Sequence, residues 1–221
     1  MLEEYDWILQ RSPLFLGADT QGLRHILGCL EAYVGSFGRG EMIYHYGDLL
    51  PFAGLVLEGK VELVVPGSNG EESVIRTVGV ADSFGCSQSC IPGQTALTTV
   101  IARKKTKVLF LRLAKLFRPE AIGCRYASLV TANLLRETAA ASLEQDRRIH
   151  VMSQRSIRDK LLMFLEQREE NGAWIALTMN RQELADYLGV ERSALSREMS
   201  RMKAEGVIDY KKNEILMRNL A

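Results

Sequence analysis

The spacing of hydrophobic positions changes twice along the chain. Over residues 1–31 it is helical: behind Asp19, a residue suited to capping, come Gly22, Leu23, Ile26, Leu27 and Leu30. From Gly35 to Leu113 glycines recur at 35, 38, 40, 47, 54, 59, 67, 70, 79, 85 and 93. Between them lie β-rich runs, Gly54–Leu57, Val61–Val65, Val74–Val78, Thr98–Ile101 and Lys107–Leu111. Short strands broken by glycine turns predict an antiparallel sandwich or barrel. Glu58-Gly59-Lys60 and Gly67-Ser68-Asn69-Gly70 are its predicted hairpin connections.

Beyond Pro119 the glycines nearly vanish. Glu120 to about Arg148 reads as one long helix, with Pro119 suited to its first turn. Its apolar positions, Ile122, Leu129, Val130, Leu134, Leu135, Ala139, Ala140 and Leu143, occupy more than one side. A helix apolar on two sides must bury both, for example one on its own domain and one on a partner, which reads as a connector that also dimerises; an intradomain core helix is the alternative. A second helix spans Ser156–Gln167, a break falls at Asn171-Gly172, and a short strand covers Trp174–Leu177. The chain closes on a hairpin, Val207–Tyr210 and Ile215–Met217, turning around Lys212-Asn213. The expected domains are 1–118, a connector helix at 119–148, and 149–221.

Residues 178–206 carry the clearest chemistry. Asn180 and Glu183 make an N-x-x-E capping arrangement that opens a helix through Tyr187, with Leu184, Ala185 and Leu188 facing inward. Gly189 sits where a tight turn needs positive φ. A second helix follows from about Arg192 to Ala204, burying Leu195, Met199 and Met202. Its other face shows Arg192, Ser193, Ser196, Arg197, Ser200 and Arg201. This is a helix-turn-helix: the first helix braces while the second offers small polar and Arg side chains to a DNA major groove. Arg is bidentate to guanine O6 and N7, and serines permit close approach. Glu191 suits the helix dipole but repels phosphate, so its carboxylate is expected to face away from the DNA backbone.

Charge sharpens this picture. The 221 residues hold 28 Lys+Arg against 27 Asp+Glu, a balance that excludes a protein coating nucleic acid by bulk charge. By segment the balance is 12 to 12 over 1–118, 4 to 4 over 119–150, and 12 basic to 11 acidic over 151–221. Residues 192–203, however, carry Arg192, Arg197, Arg201 and Lys203 against Glu198 alone. The positive potential is therefore local to the predicted recognition helix. No apolar run approaches the ~20 residues of a membrane helix. The N-terminus lacks a basic n-region, and four cysteines are too few for a disulfide-stapled secreted scaffold. A cytoplasmic protein with no membrane partner is expected.

Taken together, Gly54–Val64 (GLVLEGKVELV), Gly79–Gly85 (GVADSFG) and the helix-turn-helix at Asn180–Ile208 resemble the CRP/FNR family of transcription regulators over nearly the whole chain. The resemblance implies an α+β protein. Its parts are an N-terminal cyclic-nucleotide-binding-like β-roll (jelly roll), a long dimerisation helix, and a C-terminal winged helix-turn-helix. It implies a homodimer on a palindromic double-stranded operator, with RNA polymerase as a further partner and an effector in the β-roll. By position, Arg192, Ser193 and Arg197 take the family's base- and phosphate-contacting places, with Ser196 beside them.

The departures narrow the effector. Cyclic-nucleotide-binding members carry Gly-Glu after the sheet turn, then an Arg-Ser/Thr pair. Here the first pair is Gly85-Cys86, and Gln94-Thr95-Ala96-Leu97-Thr98-Thr99 contains no Arg. A buried cyclic phosphate without a cation is badly undercompensated, so cyclic AMP is not expected as the effector. An iron–sulfur cluster is not expected either, because Cys29, Cys86, Cys90 and Cys124 fall on different predicted elements. The expected effector is an uncharged small molecule of unknown identity, bounded by Phe84, Gly85, Cys86, Leu97, Thr98, Tyr126 and Val130. Thiol-redox, metal or haem sensing through Cys86 and Cys90 stays open, as does a constitutive DNA-binding dimer. Arg103-Lys104-Lys105-Thr106-Lys107 reads as a solvated hairpin turn, with RNA polymerase contact as its alternative. An enzyme is not expected: His25, His45 and His150 are scattered, and there is no G-x-S-x-G, P-loop or G-x-G-x-x-G.

Overall fold

A computed structural model describes residues 3–67, 72–168, 174–177 and 179–218. The chain divides into two compact units, 1–139 and 140–221.

The first unit opens with helices α1 (Asp6–Arg11) and α2 (Thr20–Cys29). Asp19 caps α2 as expected, its carboxylate accepting the Gly22 N–H at 2.6 Å. Among the described residues eight strands follow: β1 (Tyr33–Phe37), β2 (Met42–Tyr44), β3 (Ala53–Glu58), β4 (Val61–Pro66), β5 (Glu72–Val78), β6 (Ser83–Phe84), β7 (Thr99–Ala102) and β8 (Thr106–Leu111). The short helix α3 (Cys86–Ser89) interrupts them after β6. They pair antiparallel into two four-stranded sheets, ordered β1-β8-β3-β6 and β2-β7-β4-β5.

The apolar runs of β3 and β8 are continuous rather than alternating, and the layering explains why. Val56, Val108, Phe110 and Phe84 face the second sheet, where they pack with Val61, Val78 and Val100. Leu55, Leu57, Leu109 and Leu111 point the other way, into a core shared with Leu9, Phe15, Leu23, Ile26, Val130 and Leu134. A sheet covered on both faces has no wet side for polar residues. Gly59 makes the turn between β3 and β4 at φ +89°, where a Cβ would lie 2.4 Å from Thr106 Oγ1. Ser68, Asn69 and Gly70 of the other expected turn lie outside the described residues.

The long helix departs from expectation at its start. Pro119–Ala121 is a single 3-10 turn, Gly123 takes φ +83°, and α4 runs Arg125–Met152. Positive φ at Gly123 ends one helical path, and Cys124 begins the next. Ile122 therefore lies outside the helix, 82% exposed, while Val130 and Leu134 are buried in the first unit's core. Leu135 and Leu143 are exposed.

The second unit holds the end of α4, then α5 (Ile157–Glu166), β9 (Ile175–Ala176), α6 (Arg181–Leu188), α7 (Arg192–Ala204), β10 (Ile208–Lys211) and β11 (Glu214–Met217). The strands pair in the order β10-β11-β9. Val151, Leu161, Phe164, Leu165, Leu184, Leu188, Leu195, Met199, Met202, Ile208 and Ile215 form one core. The break expected at Asn171-Gly172 lies outside the described residues.

Candidate nucleic-acid interface

α6 is fixed at both ends by its own sequence. Asn180 Oδ1 accepts the Gln182 and Glu183 N–H groups at 2.8 and 3.1 Å, and Glu183 Oε2 accepts the Asn180 N–H at 2.7 Å. Gly189 ends the helix at φ +62°, ψ +45°, the left-handed geometry that lets α7 start three residues later. Leu195, Met199 and Met202 anchor α7, each 1% exposed or less. With those three turned inward, Arg192, Ser193, Ser196, Arg197, Ser200 and Arg201 are all exposed. They form two adjacent rows at i, i+4 spacing: Arg192, Ser196 and Ser200, beside Ser193, Arg197 and Arg201.

Those six side chains are not equally free. Arg192 and Arg197 enter no ion pair among the described residues, whereas Arg201 pairs with Glu205 at 3.0 Å. The Ser200 hydroxyl donates to the Ser196 carbonyl at 3.0 Å. The Ser193 hydroxyl is bonded to the Glu191 carboxylate, which also accepts the Ser193 N–H at 3.3 Å. Glu191 is thus the N-cap of α7. The Ser193 bonds hold it below the usual carboxylate range, and the Arg197 charge adds to the effect.

Acidic groups around the helix are neutralised by cations that sequence alone did not link to it. Glu198 accepts from Arg158 of α5 at 2.8 Å, and Arg158 also pairs with Glu205. Asp209 of the wing takes Lys203 at 2.7 Å and Arg218 at 3.1 Å. Lys203, counted in the sequence as part of the positive helix, is therefore spent on the wing. A separation of 40 residues between Arg158 and Glu198 left no local signal for the pairing.

In the first unit the residues expected around an effector divide into two groups. Phe84, Gly85, Leu97 and Thr98 surround a small cavity of about 20 Å³, together with Leu50, Leu63, Gln88, Ala96 and Val100. Among the described residues no charged side chain lines it. Cys86, Tyr126 and Val130 do not line this cavity. Cys86 and Tyr126 pack against the helical core on the other side of the sheet, and Val130 is buried within it. The Tyr126 ring fills the space beside Gly22, where a Cβ would approach it to 2.3 Å. The physical reason is that β3 and β8 stand between the helices and the sandwich interior.

Cys86 and Cys90 also sit in surroundings unlike those of a reactive thiol pair. Burial pushes the Cys86 thiol up to about 11, and burial raises Cys90 as well. The basic turn joins β7 to β8. Arg103 pairs with Glu62 at 2.6 Å, Lys107 pairs with Glu58 at 3.0 Å, and Thr106 is fully buried. Among the described residues no helix is long and apolar enough to cross a membrane.

Comparison with known proteins agrees with this geometry. Residues 34–118 match the family described as cyclic nucleotide-binding domain, and residues 159–221 match the Crp-like helix-turn-helix domain. A cyclic AMP receptor protein of Thermus thermophilus is 25% identical over 214 residues, spanning 96% of this chain and 95% of that protein. Among solved structures, the c-di-GMP responsive global regulator CLP of Xanthomonas campestris aligns over 91% of this chain and all of its own, at 17% identity and a TM-score of 0.58. The N-terminal domain of a Streptomyces coelicolor transcriptional regulator aligns over 62% of this chain and 94% of its own, at 22% identity and a TM-score of 0.53. These two structures bear on the fold.

Proposed function

Since the chain belongs to the CRP/FNR family of transcription regulators, we propose that it acts in the cytoplasm as a homodimer reading a palindromic operator under control of a small-molecule effector. The carrying observation is the exposed double row on α7, with Arg192 and Arg197 in no ion pair among the described residues, above a fully buried anchoring stripe. In this reading Arg192 and Arg197 contact bases and phosphates, Ser193 and Ser196 permit close approach, and Ser200 and Arg201 flank the groove. The exposed Leu135 and Leu143 of α4 supply the dimer contact. Two recognition helices enter successive major grooves only when they stand about 34 Å apart. An effector regulates by favouring the dimer state with that spacing. RNA polymerase is the further partner of such a regulator, and no catalytic role is assigned.

Cyclic AMP does not fit as the effector. The cavity at Phe84, Gly85, Leu97 and Thr98 offers no cation to a cyclic phosphate. Submillimolar cyclic AMP binding by calorimetry, with tighter operator binding, would overturn that statement. The cavity is also far smaller than the ~300–1,000 Å³ typical of ligand sites. That observation favours a second reading, a constitutive DNA-binding dimer.

The test is selection of bound sequences from random duplexes, followed by footprinting with and without cell metabolites. A two-fold symmetric site with half-sites about one helical turn apart is expected. Binding without sequence preference at any salt concentration would sink the DNA-reading proposal. Equal footprints under all conditions would favour the constitutive dimer.

A further inference from the structure

Within the first unit, α2 and the start of α4 bring together three reactive groups that the DNA-reading proposal does not use. His25 Nε2 lies 3.6 Å from Cys29 Sγ, one helical turn along α2, and 3.5 Å from Cys124 Sγ. Cys124 stands immediately before α4, where its sulfur accepts the Ala127 N–H at 3.5 Å and its carbonyl accepts the Ser128 N–H at 3.0 Å. It is therefore a thiol cap on a 28-residue helix. All three groups line an open cavity of about 600 Å³, whose wall also carries Arg118, the carboxylate Glu120, and Lys115, which pairs with Glu31. Cys29 is exposed and Cys124 half-buried.

An imidazole between two accessible thiols is positioned to take a thiol proton, and the thiolate is the nucleophile in sulfur chemistry. Among the described residues no three His, Cys, Asp or Glu side chains are disposed to hold a metal ion. The sulfurs share one neighbour but must turn toward each other to bond. Gly123, next to Cys124, takes φ +83°, and nothing lies within 4 Å of where its Cβ would be.

We propose that Cys124 and Cys29 are a peroxide-reactive pair, with His25 as the base between them, and that its product is an intrachain disulfide joining the end of α2 to the start of α4. In the first step His25 Nε2 takes the Cys124 proton and the thiolate attacks a hydroperoxide. An S–O bond forms as the O–O bond breaks. The leaving alkoxide or hydroxide takes the imidazolium proton. Cys124 is oxidised by two electrons to the sulfenic acid, and the peroxide is reduced to alcohol or water. In the second step His25 deprotonates Cys29, whose thiolate attacks the Cys124 sulfur. The S–S bond forms, the S–O bond breaks, and the departing hydroxide leaves as water with the Cys29 proton.

The experiment uses full-length reduced protein, stoichiometric hydrogen peroxide, and intact mass with peptide mapping under non-reducing conditions, so it does not depend on DNA binding. The expected product has lost two hydrogens and carries a Cys29–Cys124 disulfide. Cys29→Ser should arrest at a Cys124 sulfenic acid that dimedone labels, and Cys124→Ser should form neither disulfide nor label. His25→Phe, which keeps a ring beside Tyr126, should slow the reaction at least about tenfold at neutral pH. The Cys86→Ser/Cys90→Ser double variant should react at the parent rate. A Cys86–Cys90 or intermolecular disulfide as the main product would overturn the proposal. So would zinc retained in native mass spectra, or a Cys124→Ser variant that still oxidises at the parent rate.

Discussion

At the start of α7 the Glu191 carboxylate meets two demands of opposite sign. It closes the helix N-terminus through Ser193, and it places a negative charge beside Arg197 on the face assigned to DNA. Because the folded protein holds its pKa below the unfolded value, its stabilisation is present above the ordinary Glu range and lost as pH falls through the folded value. Thermal midpoints of the parent and Glu191→Gln should differ at neutral pH and converge below about pH 4. A difference unchanged down to pH 3 would remove the cap from the account. Glu191→Ser keeps a capping oxygen and removes the charge, so operator binding should tighten about threefold or more. Arg197→Ala should cost ~1–3 kcal/mol and relax preference at one symmetric G·C position. Uniform weakening on all sequences would mark Arg197 as a phosphate contact instead.

Two glycines with positive φ show how differently two elements tolerate the same change. At Gly59 an added Cβ meets Thr106 Oγ1 at 2.4 Å and the Lys105 carbonyl oxygen at 2.6 Å, and the carbonyl is backbone that cannot swing away. Gly59→Ala should cost about 3 kcal/mol or more. At Gly189 the sole neighbour within reach is the Met152 methyl at 3.3 Å, the far end of a flexible side chain. Gly189→Ala should cost only the left-handed backbone term, about 1 kcal/mol. Urea denaturation ranks the two, and the opposite order would contradict the contact geometry.

The sequence revealed elements in proportion to their regularity. α6 and α7 were readable residue by residue, because cap, apolar stripe and turn glycine agree locally. β1, β2 and β6 were not, since Tyr33–Phe37, Met42–Tyr44 and Ser83–Phe84 are short and mix polar residues with glycine. The turn at Gly123 was hidden inside an otherwise helical pattern.

For the whole molecule, the second unit's recognition face was legible and the first unit's chemistry was not. The reason is distance along the chain. Arg192 to Arg201 share one helix, so periodicity alone orders them. Cys124 and His25 meet across 99 residues, and only the fold brings them together. The i, i+4 spacing of His25 and Cys29 was the one local signal available. The proposed dimer belongs at this scale too. Leu143→Lys places a charge on an exposed apolar position of α4, so the fold should survive by circular dichroism. Sedimentation should show a monomer, with affinity for a palindromic site lost by about a hundredfold. A variant that stays dimeric would move the contact elsewhere.

β3 carries a mechanical consequence. Successive side chains along it enter different cores, Val56 toward the second sheet and Leu55 and Leu57 toward the helices. Both packings therefore hang on one backbone, and close-packed interiors have little compressibility to absorb a shift on one side alone. The strand acts as a partition wall with furniture fixed to both faces. A load placed on Phe84, which pairs with Gly54 of that wall, bears on the strand whose other face carries the packing of α2 and the first turns of α4.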